Sequence, residues 1–164
     1  MWWSDGQVTR RGALLGVLAL SACGFVPAYG TGGGLAVLRG QTVVTGPETV
    51  PGFRLRTHLE DRLGLPQGAP AYALSTTLSL RQEGAAITQG GATTRFSVVG
   101  VAGYRLTDAT GRLLASGEVD SFTAYSTTGS TVATQAAQED AQARLAAILG
   151  DLILTRLIAV DAGA

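Results

Sequence analysis

The sequence is short of the residues on which most site chemistry depends. Its 164 residues include one cysteine and one histidine. A single cysteine excludes an intramolecular disulfide. One cysteine and one histidine are also too few ligands for a zinc site. The sequence has no Gly-x-Ser-x-Gly element, and the glycine run at 30–34 is not followed by Gly-Lys-Ser/Thr. We therefore expect no catalytic residues, no metal and no cofactor, and a protein that is not an enzyme.

The chain also has no excess of positive or negative charge. The chain has 12 basic and 12 acidic residues, and every basic residue is arginine. Arg10, Arg11 and Asp5 lie near the N-terminus, so the remainder of the chain has a net charge of −1. Proteins that bind nucleic acid normally carry a clear basic excess. The balance therefore predicts no nucleic-acid partner and no polybasic membrane patch.

The N-terminal apolar run is too short to cross a bilayer. It extends over residues 12–20 and follows Arg10 and Arg11, whereas a spanning helix needs about 20 apolar residues. A basic start followed by a short apolar run is typical of a signal peptide. We predict a signal peptide over residues 1–22. The paired arginines leave open export by either the general or the twin-arginine route.

The segment Leu20-Ser21-Ala22-Cys23 resembles the lipobox of bacterial lipoproteins. Its two small residues allow a peptidase to bind extended backbone beside the cut, and only the cysteine thiol can accept a diacylglyceryl group. We therefore predict that Cys23 is the lipidated N-terminus of the mature protein. Residues 23–34 are rich in glycine and are predicted to form a flexible tether.

Residues 35–164 are predicted to form one domain, which starts with a strand and a helix. Leu35–Val44 is rich in leucine and valine and predicts the strand. Leu55, Leu59 and Leu63 recur at helical spacing between Pro51 and Gly64, which predicts a short helix. We expect His58, which has acidic neighbours on the polar face of this helix, to be solvated.

Three alternating segments and a long helix complete the predicted domain. The alternation covers residues 72–81, 94–106 and 113–119, with a tight turn at 108–111, and the pairing predicted across this turn is Leu106 with Leu113. The Ala-rich segment from Val132 to about Val160 predicts the helix, with Gly150 as a packing point or mild kink. The predicted fold class is α+β, with a single sheet of about four strands, two helices on one face, and the order β-α-β-β-β-α.

These features together resemble one family. The lipobox, the start Cys-Gly-Phe-Val-Pro-Ala-Tyr-Gly at 23–30, and the order of elements are similar to the LPS-assembly lipoproteins of the LptE type. The resemblance implies an outer-membrane lipoprotein that plugs and helps to assemble a β-barrel of the LptD type, and that contacts lipopolysaccharide. Gly24 replaces the aspartate that, in lipoprotein families, favours retention in the inner membrane.

The resemblance also implies basic residues that contact lipid on the sheet and hairpin. By position the candidates for lipopolysaccharide binding are Arg81, Arg95, Arg105 and Arg112. Solvated surface arginines are the alternative interpretation for each of them. Two other functions stay open: an auxiliary lipoprotein of an ABC-type lipid-transport system, and a structural envelope lipoprotein.

The lipobox gives a direct prediction. Substitution Cys23→Ser removes the only thiol that can accept lipid, so the protein is expected to stay uncut or to become soluble. Mass spectrometry of the native protein checks the assignment, since an unmodified Cys23 would contradict it.

Overall fold

The computed structural model describes residues 35–87, 93–127 and 129–161. In chain order the elements are β1 (Thr42–Thr45), α1 (Val50–Leu63), β2 (Tyr72–Ile87), β3 (Thr93–Asp108), β4 (Leu113–Ser126) and α2 (Thr131–Asp161). The strands form one sheet in the order β1-β2-β3-β4, with β1 parallel to β2 and the rest antiparallel. The predicted α+β fold and its element order are confirmed. Cys23, the tether and the tip of the β2–β3 hairpin lie outside the described residues.

The first strand is shorter than predicted. Residues 35–41 form turns, and only Thr42–Thr45 pair with β2. The reason is the turn around Gly40, which has a φ of +68° and donates its N–H to the Leu63 carbonyl at 2.7 Å. Leu35 and Leu38 are nevertheless buried, because the turns fold them back onto the core.

Helix α1 begins and ends where its capping residues require. The Thr49 hydroxyl accepts a hydrogen bond from the Gly52 N–H at 3.2 Å, which satisfies one of the free donors of the first turn. At the other end Gly64 has a φ of +73°, and its N–H donates to the Glu60 carbonyl at 2.7 Å. The three leucines predicted to share one face, Leu55, Leu59 and Leu63, are all fully buried.

The predicted register of the β3–β4 hairpin is wrong by two residues. Leu106 pairs with Ala115 rather than Leu113, and Leu113 pairs with Thr107 across a shift in register. The turn closes with a hydrogen bond from the Asp108 N–H to the Arg112 carbonyl at 3.0 Å, and the extra residue follows it in β4. Because a displacement of two residues preserves parity, Ala115, Gly117 and Val119 keep their predicted face. The predicted face of Leu113 is wrong, because this residue lies before the extra residue and is 46 % exposed.

Helix α2 packs on β3 and β4 over a row of small residues. A Cβ placed at Gly100 would lie 3.0 Å from methyl carbons of both Leu145 and Leu149, so a larger side chain at this position would push the helix away. Both leucines are fully buried, as are Val98 and Ala102 on the same face of the sheet. The predicted contact between this helix and the β3 face is therefore confirmed.

The expectation that His58 is solvated is wrong. Its Nε2 lies 2.9 Å from Asp151 Oδ1, and a Cβ at Gly150 would come within 2.7 Å of its ring. Glycine at position 150 thus lets α1 and α2 approach closely, as the sequence suggested. The histidine packs between the two helices because the stripe of leucines beside it directs this face of α1 toward α2.

The described helices include none with the length and hydropathy that a membrane span requires.

The packing of α2 on the sheet gives a stability prediction. Leu149→Ala removes buried methyl groups at the closest helix–sheet contact and is expected to lower the free energy of unfolding by about 2–5 kcal/mol. Leu152→Ala, three residues further along the same helix at a position 37 % exposed, serves as the matched control and should cost much less. Chemical denaturation of the purified proteins measures both. Equal midpoints for Leu149→Ala and wild type would mean that this side of α2 does not face the sheet.

Candidate functional site

One face of the sheet carries no helix in the described part of the chain. Helices α1 and α2 cover the face that holds Leu74, Val98 and Leu106, and side chains of the opposite parity point away from them. We call this second surface the open face. Its members on the three long strands are mainly short polar and charged side chains: Ser75, Thr77, Ser79, Arg81, Glu83, Arg95, Ser97, Arg105, Ser116, Glu118 and Asp120.

Three of the four candidate arginines lie on the open face, and the fourth lies at its edge. Arg81 is on β2, Arg95 and Arg105 are on β3, and Arg112 is in the β3–β4 turn. The ten residues from Arg95 to Arg105 correspond to about 33 Å of strand. The structure therefore does not bring the four arginines together into one cluster.

Two of the four arginines have carboxylate partners. The Arg81 Nε atom lies 2.8 Å from Glu83 Oε1, and the Arg112 Nε atom lies 3.0 Å from Asp108 Oδ2. Pairs this exposed contribute little to stability, so their effect on binding is the relevant one. A neighbouring carboxylate neutralises the guanidinium and repels a second anion.

Asp108 is held ionised by the turn in which it sits. A hydrogen bond from the Thr110 hydroxyl, together with the Arg112 guanidinium and the N–H groups of both residues, lowers the pKa of Asp108 to about 2. The carboxylate therefore stays ionised beside Arg112 at neutral pH. Asp108 organises the turn, which is a structural role that the sequence pattern of a tight turn already indicated.

Arg105 has a different environment. It is exposed and makes no ion pair with any residue of the described ranges. Beside it lies a shallow cleft of about 340 Å³, lined by the short side chains of Ser75, Thr77 and Ser116, the bare backbone of Gly103 and the carboxylate-bearing side chain of Glu118. A free guanidinium next to hydroxyl groups can bind a phosphate or carboxylate with several hydrogen bonds. Arg95 is likewise exposed and without an ion pair inside the described segments.

The open face also carries an apolar strip that the sequence analysis missed. Phe122 on β4 is 68 % exposed, and it pairs in register with Val99 on β3. Val101, two residues further along β3, is 37 % exposed. The sequence pattern that predicts this position is the alternation of the strand. β4 continues to Ser126, beyond the predicted end at residue 119, and Phe122 lies an odd number of residues after the buried Val119, which puts it on the open face.

Within the described ranges, no three His, Cys, Asp or Glu residues come together in a way that could hold a metal ion. The open face presents exposed cations, hydroxyl groups and an apolar strip. Such a surface suits recognition of a ligand or partner.

Comparison with solved structures defines the class of protein. A protein of Caulobacter crescentus CB15 described as a lipoprotein is 29 % identical, with a TM-score of 0.65 over 80 % of this chain and 98 % of that one. The rare lipoprotein B of Shewanella oneidensis is 12 % identical, with a TM-score of 0.59 over 75 % and 97 %. A minor lipoprotein of Acinetobacter baumannii is 18 % identical, with a TM-score of 0.56 over 74 % and 93 %. The last two show the fold alone, and all three share the small two-layer α+β fold of this chain.

The sequence assigns the chain more narrowly within that class. The model of the LptE family, described as lipopolysaccharide-assembly, matches residues 41–157. The chain therefore belongs to the LptE lipopolysaccharide-assembly family, as its opening motif and element order indicated. No curated protein sequence matches it.

Proposed function

We propose that this chain is an outer-membrane lipoprotein that plugs a lipopolysaccharide-exporting β-barrel of the LptD type, assists the assembly of that barrel, and contacts lipopolysaccharide. Family membership supports a role in lipopolysaccharide assembly. The observation that carries the finer proposal is the open face, because a plug must present polar side chains to the wet lumen of a barrel. The two-layer packing supplies the rigid body that such a plug needs.

The anchor belongs to the same proposal. Residues 1–22 are removed as a signal peptide, Cys23 carries the lipid, and residues 23–34 connect it to the domain at 35–164. One acyl chain would bind a membrane only reversibly, whereas two or three make the attachment effectively permanent. With Gly24 after the cysteine, the lipid would hold the domain at the outer membrane.

The proposed role is not enzymatic. The described residues offer no metal cluster, and the one histidine packs against Asp151 between two helices. Family membership favours the barrel partner over the ABC-type lipid-transport system, and purification of the detergent-solubilised protein separates the two. A stoichiometric outer-membrane barrel supports the plug, whereas an inner-membrane transporter supports the alternative.

The plug makes a prediction about the order of events in the cell. Depletion of the protein should lower the amount of assembled barrel before other outer-membrane proteins decline, because the barrel alone lacks its folding partner. Quantitative immunoblotting of heat-modifiable barrel during depletion measures this. A simultaneous decline of unrelated outer-membrane proteins would point to a general envelope role instead.

The arginines give a separate prediction about lipopolysaccharide. Arg95→Ala and Arg105→Ala should each weaken binding, and their effects should add, because about 33 Å of strand separates the two side chains. Arg112→Ala is the matched control and should weaken binding less, because Asp108 already neutralises that guanidinium.

Binding of purified lipopolysaccharide at low salt measures these effects. Wild-type affinity in the Arg95/Arg105 double variant would exclude these positions as the lipid contact, while leaving the plug itself untouched.

A further inference from the structure

Strand β4 lies at the edge of the sheet, and this edge is long and regular. No further strand of the described chain pairs with its 14 residues. The opposite edge is different, because β1 has only four residues and β2 carries register shifts between Gly84 and Ile87. Short strands and bulges protect a sheet edge from pairing with another chain, and β4 has neither between Ala115 and Ser126. The β4 edge can therefore accept a further strand.

Alternate residues of β4 direct their backbone groups away from the sheet. The Thr127 N–H donates to the Thr94 carbonyl at 3.0 Å, and the regular register of β3 with β4 carries this pattern along the strand. The odd-numbered residues thus bind β3, and the even-numbered residues point outward. In agreement, the Ala124 carbonyl accepts a hydrogen bond from the Arg144 guanidinium at 3.4 Å. That carbonyl keeps a second lone pair for another donor.

The charges on the outward residues favour one register for pairing β4 with the β4 strand of a second copy. A two-fold axis at Asp120 would place two carboxylates side by side, and an axis at Ser121 would place Asp120 against Phe122. An axis at Phe122 avoids both contacts. Its directly opposed pairs are Phe122 with Phe122, Asp120 with Ala124, and Glu118 with Ser126.

In this register the open faces of the two copies complement each other. Val99 pairs with Phe122 inside each copy, so one apolar row crosses the axis and covers a phenylalanine that is 68 % exposed. Arg95 pairs with Ser126, which faces Glu118 of the second copy, so about 10 Å separates the Cα atoms of this Arg95 and that Glu118. The two long side chains can meet over the short serine. Neither has an ion-pair partner among the described residues of its own chain.

The helix side of the sheet fits the same arrangement. Helix α2 contacts Gly100 on β3 and Thr123 on β4, so its axis lies between these strands and about 5 Å from the two-fold axis. The two α2 helices would lie about 10 Å apart, which agrees with the usual distance of about 8–10 Å between packed helices. Ile148, one turn after Arg144 on the flank that reaches the β4 edge, is 39 % exposed and would face the second helix.

We propose that two copies of this chain associate through their β4 strands, in antiparallel pairing about a two-fold axis at Phe122. The two sheets become one continuous sheet, the apolar strip is covered, and Arg95 of each copy binds Glu118 of the other. Carboxylates on an edge strand ordinarily discourage pairing, whereas in this register each one faces a small side chain. The proposal concerns the protein before a barrel binds it and does not depend on the proposed plug.

Chemical crosslinking tests the position of the axis. The sample is the purified full-length lipoprotein in detergent, free of other outer-membrane proteins. Phe122→Cys should form a covalent dimer with a short bismethanethiosulfonate, because opposed residues of a hydrogen-bonded pair have Cα atoms about 5.5 Å apart. Ala124→Cys alone should not crosslink, whereas Ala124→Cys mixed with Asp120→Cys should.

Two controls accompany the crosslinking. Wild type, whose only cysteine is Cys23, gives the background. Phe53→Cys is the matched control, because Phe53 is 55 % exposed but lies on α1. Equal yields of dimer from Phe122→Cys and Phe53→Cys would overturn the proposed pairing.

Charge reversal tests the ion pair by sedimentation of the same sample over a range of concentrations. Arg95→Glu and Glu118→Arg should each weaken the dimer about tenfold or more, because the symmetry brings like charges together twice. The double variant should return the dissociation constant to within about threefold of wild type. Arg39→Glu is the matched control, since Arg39 is exposed in the turns before β1, at the opposite edge of the sheet. A wild-type protein that stays monomeric throughout would overturn the proposal, and so would a double variant no better than the single ones.

Discussion

The close approach of α2 to β3 at Gly100 is the contact on which the rest of the structure depends. Methyl groups of Leu145 and Leu149 lie where a side chain at position 100 would stand, so helix and sheet pack without a gap. Helix α1 is held beside α2 on this face, because the His58 ring of α1 packs against the backbone of α2 at Gly150. With the core concentrated on one side, every side chain of opposite parity on the long strands is left on the open face.

Much of this arrangement could be predicted from the sequence because it depends on local patterns. The leucine spacing and capping residues define α1, alternation identifies the long strands, and the Ala-rich segment defines α2. The two predictions that were wrong, the β3–β4 register and the start of β1, depend on backbone geometry that residue patterns do not contain. The extra residue after the Asp108 turn shifts the β3–β4 register. Because Gly40 adopts a positive φ in the preceding turn, β1 begins only at Thr42.

The candidate site, too, could be predicted only where it depends on local patterns. Parity alone predicts which arginines share a face, but it gives no information on which of them are already paired. Arg81 and Arg112 reach carboxylates two and four residues away along the chain. Arg105 makes no ion pair within the described segments, and its cleft is lined by Gly103, short hydroxyl side chains and Glu118. The apolar strip was missed for a different reason. After Val119 the strand carries the polar residues Asp120 and Ser121, which interrupt the apolar alternation before Phe122.

The open face is chemically asymmetric in a way that a purely solvated surface does not require. A surface whose only function is solubility benefits from charges of both signs spread evenly and from few exposed aromatic residues. Here the described strands place an exposed phenylalanine beside two valines, a free guanidinium about 13 Å beyond, and two carboxylates along one border. Exposing Phe122 is unfavourable in water, so the free domain gains from any partner that covers it. A wet barrel lumen accounts for the polar positions of the open face, whereas the apolar strip requires that this part of the surface be covered by an apolar group.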